Sequence, residues 1–271
     1  MNQKNCNRMI DGVIFDVDGT LLDTMPVWHD AGARFLATLG IQAEPGLGDL
    51  LFEETVETGA QYLIDHYGLT MSIPEIARGI DEQVEQFYFR EADFKPGARE
   101  LLQQMYDVGI HLTVATSTHR RCIEAAFDRL GIRGLFEGIF TCSEVGATKN
   151  NPAIFYAAED CMQTQPEYTW VFEDGLYAIR TAEAAGFRTV GIYDPVSEKD
   201  REEIIRTADF YYESLADFDL LCSGDDAETA ARISRDGMAG NSTEDVADIG
   251  VETAAGTGVC AEVGRRSENE S

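Results

Sequence analysis

From residue 98 to residue 212 the sequence alternates between short apolar runs and longer amphipathic ones, and this restricts the fold more than any other feature. Strand-like runs fall at 10–15, 111–115, 138–142, 169–172, 189–192 and 209–212, and helical spacing at 98–107, 120–130, 152–162 and 177–185. Strands separated by helices predict a parallel sheet covered on both faces. In such a sheet the ligand sits beyond the carboxyl ends of the strands, where the strand order reverses. The residues just beyond each strand therefore carry the functional information.

Between the first strand and residue 93 the pattern is helical throughout. Trp28, Phe35, Leu36 and Leu39 are spaced for one helix, and Ile76, Ile80, Val84 and Phe87 for another, with breaks near Gly40, Gly68 and Pro74. This stretch reads as a separate helical unit. The segment 223–271 has no aromatic residue and 11 acidic against 4 basic residues, the composition of a disordered tail.

The net charge of −28 disfavours nucleic acid and anionic membranes as partners, because both bind through clustered Lys and Arg. No apolar run reaches the roughly 18 residues of a membrane span. The first nine residues lack the apolar core of a secretory signal, and the six cysteines show no C-x-x-C pairing, so reduced thiols and a cytoplasmic location are expected. An acidic field also repels anionic substrates. A phosphorylated one would need a local cation, and the chain has only four lysines, Lys4, Lys95, Lys149 and Lys199.

The first strand ends in Asp16-Val17-Asp18-Gly19-Thr20. Two carboxylates at the lip of a sheet repel each other unless a cation or proton lies between them, and Mg²⁺ suits hard oxygen donors. Alone the motif is ambiguous, since D-x-D-G turns arise by chance and in calcium loops. Other strands end in Thr116-Ser117-Thr118 and in Glu173-Asp174-Gly175, and Lys149 stands just before a helix start. Singly these could be N-caps at Ser117, Thr118 or Asp174 and a solvated lysine. Acid pair, hydroxyls, lysine and acid pair in succession are harder to dismiss.

In these motifs and their order, roughly residues 8–222 resemble the haloacid dehalogenase superfamily, in its branch with a helical cap after the first motif that includes beta-phosphoglucomutase-like proteins. The resemblance implies an α/β, Rossmann-like core over 8–24 and 95–222 with an all-helical cap over 25–94. It implies Asp16 as nucleophile and Asp18 as acid and base. Thr116, Ser117 and Lys149 would bind the phosphoryl group, and Asp16, Asp18 (through its carbonyl), Glu173 and Asp174 would hold Mg²⁺. The family's K-P-x-P-[DE] reads Lys149-Asn150-Asn151-Pro152-Ala153 here, which should alter the loop and helix start.

Within that superfamily Asp18 favours phosphoryl transfer over dehalogenation, and a cap without lysine excludes a Schiff-base phosphonatase. The rival is a phosphosugar mutase, which resembles this chain in core and cap but carries an early cap histidine where Trp28 stands, and an arginine for the second phosphate. Residues 26–94 hold 13 acids and only Arg34, Arg78 and Arg90. The expectation is therefore a Mg²⁺-dependent phosphatase of a small phosphorylated metabolite, monomeric or weakly dimeric. A phospho-ligand binding protein is the alternative outside catalysis. Trp28 could face the substrate, but packing is the expected role, as it is more often for a buried tryptophan in a cap helix.

Overall fold

The alternation beyond residue 98 resolves into one six-stranded parallel sheet in the order β3-β2-β1-β4-β5-β6. The computed structural model describes residues 10–52 and 54–220. In chain order the elements are β1 (Gly12–Phe15), α1 (Met25–Thr38), α2 (Leu47–Phe52), α3 (Val56–Tyr67) and α4 (Ile73–Arg90). They continue with α5 (Ala98–Asp107), β2 (His111–Thr116), α6 (Arg120–Leu130), β3 (Gly138–Thr141), α7 (Cys142–Val145) and α8 (Ala153–Met162). The last are β4 (Thr169–Glu173), α9 (Leu176–Ala184), β5 (Arg188–Ile192), α10 (Arg201–Thr207) and β6 (Phe210–Tyr212). The expected acidic tail, 223–271, lies outside the described residues.

Strand residues alternate between two apolar layers because successive side chains point to opposite faces. Val13 and Phe15 of β1, Val114 of β2 and Phe172 of β4 join α5 and α6 on one face. Ile14, Ala115 and Val171 join α8 and α9 on the other. With both faces covered, the strands need no polar alternation, which is why they read as continuous apolar runs. β1 is bordered by β2 and β4. The strand order runs outward from it in both directions, so a crevice opens beyond its carboxyl end.

The expected strand ends shift slightly. β3 stops at Thr141 instead of Cys142, because the Thr141 hydroxyl accepts the Glu144 N–H at 3.3 Å and so caps α7. Helix α10, absent from the elements expected of the sequence, packs on α9 through Ile204, with Ala208 just beyond its end joining the same cluster. Its seven residues are too few to show helical periodicity clearly.

Helices α1–α4 are inserted between β1 and α5 and share an apolar cluster of Phe35, Leu36, Leu47, Leu63 and Ile76. Their ends are set by local chemistry. Thr55 and Thr58 form a capping box at α3, Gly68 closes it with φ 65°, and Ser72 with Glu75 caps α4. Two connections join this unit to the sheet, and they pair with each other. The Asp23 N–H donates to the Asp93 carbonyl at 2.9 Å, and the Lys95 N–H to that of Leu21 at 2.9 Å.

Candidate active site

The carboxyl ends of β1, β2 and β4, with the loop between α7 and α8 that carries Lys149, bring the four expected motifs to one cleft of about 260 Å³, walled by Asp16, Asp18, Ser117, Lys149, Glu173 and Asp174. Asp16 comes directly after β1, its N–H donating to the Phe172 carbonyl at 3.0 Å, so the β1–β4 ladder orients it. Gly19 has φ 86°, and a Cβ there would stand 2.8 Å from Asp174 Oδ2. The left-handed turn that only glycine adopts easily thus lets the first acidic loop approach the second.

Lys149 is 2% exposed and donates from Nζ to Asp16 Oδ1 and, at 2.7 Å, to Glu173 Oε1. Burial opposes its charge, but the carboxylates of Asp16 and Glu173 outweigh burial and hold the ammonium well above its ordinary range. It is a fixed cation and not a solvated loop residue. The altered motif around it still leads into a helix: Pro152 is the N-cap of α8, and Asn151 Oδ1 accepts the Ala153 N–H at 3.0 Å.

Asp16, Glu173 and Asp174 each present an oxygen within 4.8 Å of the others, and all three are buried. Burial raises Asp16 to about 7, with Lys149 pulling down and Glu173 and Asp18 pushing further up. Burial also raises Asp174 well above the carboxylate range, reinforced by Glu173 and Asp16. One lysine does not balance these acids. Hard oxygen donors with a surplus of negative charge fit a divalent cation such as Mg²⁺. Asp174 is oriented by Thr20 Oγ1 at 3.4 Å and Ser197 Oγ at 3.3 Å, and Glu173 Oε2 accepts the Gly175 N–H at 2.7 Å.

The Asp18 carboxylate faces elsewhere. Its Oδ1 accepts from Thr24 Oγ1 at 2.7 Å and from the Tyr88 hydroxyl, and its Oδ2 from Thr118 Oγ1 at 2.7 Å and Thr116 Oγ1 at 3.4 Å. Thr116 is fully buried, and its hydroxyl also accepts the Thr118 N–H at 3.0 Å. From that strand end it is the neighbouring Ser117 and Thr118 that reach the cleft wall. The capping alternatives do not hold: the N-cap of α6 is His119, and that of α9 is Gly175.

Trp28 corrects the packing expectation. It is 39% exposed and lines the cleft with Met25. Tyr88, Thr24, Ser197 and Tyr177 also belong to the site and were not anticipated. Among them Thr24, six residues after Asp18, and Tyr177, three after Asp174, lie close enough in sequence to have been suspected.

A family profile for haloacid dehalogenase-like hydrolases matches residues 10–186, and the chain belongs to that family. It is 25% identical over 181 residues to the phosphorylated carbohydrates phosphatase of Thermotoga maritima, covering 67% of this chain and 84% of that one. Among solved structures it resembles CbbY from Rhodobacter sphaeroides in complex with phosphate, at TM-score 0.60 and 27% identity, over 77% of this chain and 96% of that one. It also shares its fold with beta-phosphoglucomutase from Clostridium difficile, at TM-score 0.58 and 17% identity, over 82% and 98%.

Proposed function

We propose that the protein is a Mg²⁺-dependent phosphatase that hydrolyses small phosphorylated metabolites through an aspartyl-phosphate on Asp16. The observation that carries this reading is the buried Lys149 bridging Asp16 and Glu173, with Asp174 alongside. A carboxylate can attack an anionic phosphoryl group only where fixed cations offset the repulsion. Relatives named as phosphatases of phosphorylated carbohydrates and of fructose 1-phosphate support the same class of activity.

In the first half-reaction an Asp16 oxygen attacks phosphorus, the P–O bond to the alcohol breaks, and Asp18 gives its proton to the departing oxygen. In the second, Asp18 takes a proton from water, the water oxygen attacks phosphorus, and the bond to Asp16 breaks to release inorganic phosphate. Lys149 and the backbone N–H of Ser117 bind the phosphoryl oxygens. Thr116, buried behind the cleft wall, supports the loop and Asp18. Asp16, Glu173, Asp174 and the Asp18 carbonyl would hold Mg²⁺, which supplies charge neutralisation for the phosphoryl group. Helices α1–α4, residues 25–94, act as a cap that excludes bulk water over the core of 8–24 and 95–222.

Hydrolysis is favoured over a mutase reaction because Trp28, an uncharged indole, lines the cleft from the cap. The test is phosphate release from p-nitrophenyl phosphate with Mg²⁺, abolished by EDTA and by Asp16→Asn, with a phosphorylated Asp16 trapped in acid-quenched Asp18→Asn. Full turnover by Asp16→Asn would refute the nucleophile. Conversion of beta-glucose 1-phosphate to glucose 6-phosphate, with a bisphosphate primer and no free phosphate, would establish the mutase.

A further inference from the structure

We infer that the substrate is the monophosphate ester of an alcohol with an apolar body and no second anionic group, and that this body enters a cavity between α1, α2, α3 and α4. The inference rests on the phosphatase reading and extends it to the leaving group. The cavity measures about 370 Å³ and adjoins the catalytic cleft, with Met25 and Trp28 common to both walls. That volume is in the range of small-molecule sites, roughly 300–1,000 Å³.

The space exists because small residues from three helices face it: Ala31 and Gly32, Gly59 and Ala60, and Ala77. A Cβ on Gly32 would come within 2.3 Å of Leu51 Cδ1, so that glycine is what lets the leucine form the wall. At the mouth stand Trp28, Phe52 and Val56, 39%, 46% and 63% exposed. Large apolar side chains grouped at the lip of a cleft cost free energy in water and regain it when a ligand covers them.

Charge sets the second half of the inference. The charged residues described in the cavity wall are Glu54 and Asp81, both acidic. Trp28 also borders a second recess, between α4 and α6, which holds His119, Arg78 and Arg121 against Asp81, Glu82 and Glu85. There Arg121 is ion-paired with Glu85. A second phosphate or a carboxylate meets net negative charge on either side, whereas a neutral or cationic alcohol does not.

The test compares kcat/KM with Mg²⁺ for 2-phenylethyl phosphate, glycerol 3-phosphate and 3-phosphoglycerate, with acetyl phosphate as a reference that barely reaches the cavity. We expect 2-phenylethyl phosphate to exceed glycerol 3-phosphate by about tenfold, and 3-phosphoglycerate to fall about tenfold below it. Ala60→Leu and Ala77→Leu, on different helices, should each lower the ratio of 2-phenylethyl to acetyl phosphate by about fivefold. Equal or reversed preference among the three esters overturns the inference, as does an unmoved ratio in a folded variant. If neither variant folds, the ester ranking alone decides. No hydrolysis of any of the four, acetyl phosphate included, would end the phosphatase reading itself.

Discussion

The phenol of Tyr88, near the end of α4, donates to the carboxylate of Asp18, 70 residues earlier on the loop after β1. Thr24, the N-cap residue of α1, donates to the same oxygen at 2.7 Å. Two hydroxyls from the helical insertion and its entry thus hold an acid of the sheet, while Thr118 holds its other oxygen from the core. Burial and the Asp18 charge push the Tyr88 phenol far up, so it remains a donor throughout the working pH range.

Tyr88→Phe should therefore cost about 1–3 kcal/mol of stability, the usual penalty for a carboxylate that loses a buried donor. If Asp18 serves the leaving group and water as proposed, kcat should fall by about tenfold with KM little changed. Urea denaturation and steady-state kinetics on the same variant check both. An unchanged kcat would detach Tyr88 from catalysis.

Lys149→Met leaves Asp16, Glu173 and Asp174 without their ammonium. Removing one partner of a buried ion pair costs about 3–5 kcal/mol, and phosphate release should drop by at least about 10²-fold. Thermal melts of the metal-free variant should show the loss, and Mg²⁺ should recover part of the stability but not the activity.

The metal-free protein should be more stable at pH 5 than at pH 8. Asp16 is raised from 3.8 to about 7 in the folded state, and Asp174 is raised as well. The folded state therefore binds more protons, and stability is lost as pH rises through that window. Mg²⁺ competes with those protons, so its effect on Tm should be larger at pH 8 than at pH 5. A metal-induced shift that does not depend on pH would refute the acidic cluster as its site.

Lys95 Nζ donates to Asp194 Oδ2 at 2.8 Å and to the Tyr193 carbonyl at 2.7 Å, and Asp194 is 2% exposed. The pair ties the second of the two connections to the loop that carries Ser197, a partner of Asp174. Lys95→Met should cost about 3–5 kcal/mol and weaken Mg²⁺ binding, read by titration of Tm against metal. Lys95→Met/Asp194→Asn should recover part of that loss.

Gly19→Ala should abolish metal-dependent stabilisation while leaving secondary structure intact. The new methyl would need to share space with Asp174 Oδ2 at 2.8 Å, in a φ of 86° that side chains resist. Circular dichroism with Tm measured with and without Mg²⁺ decides it.

The βα alternation, the helical insertion and the acidic positions at strand ends were legible in the chain, because each is written in local periodicity or in residues next to a strand, and Lys149 stood out as one of four lysines, just before a helix start. Helices 98–107 and 120–130 emerge with those bounds. Asp16, Asp18, Ser117, Lys149, Glu173 and Asp174 do share one cleft. What no local pattern could decide is which way a side chain turns once the loops meet. Thr116 faces inward to Asp18 instead of the cleft, and Trp28 faces the cleft instead of the core. Tyr88, Lys95 and Ser197 acquire their partners from 23 to 99 residues away. Such contacts depend on how separate elements pack, a property of the assembled sheet and helices and not of any segment alone. The residue types that carry the chemistry were thus determined by the sequence itself, and their orientations and partners by the tertiary structure, since charge and periodicity are local while burial and distance are not.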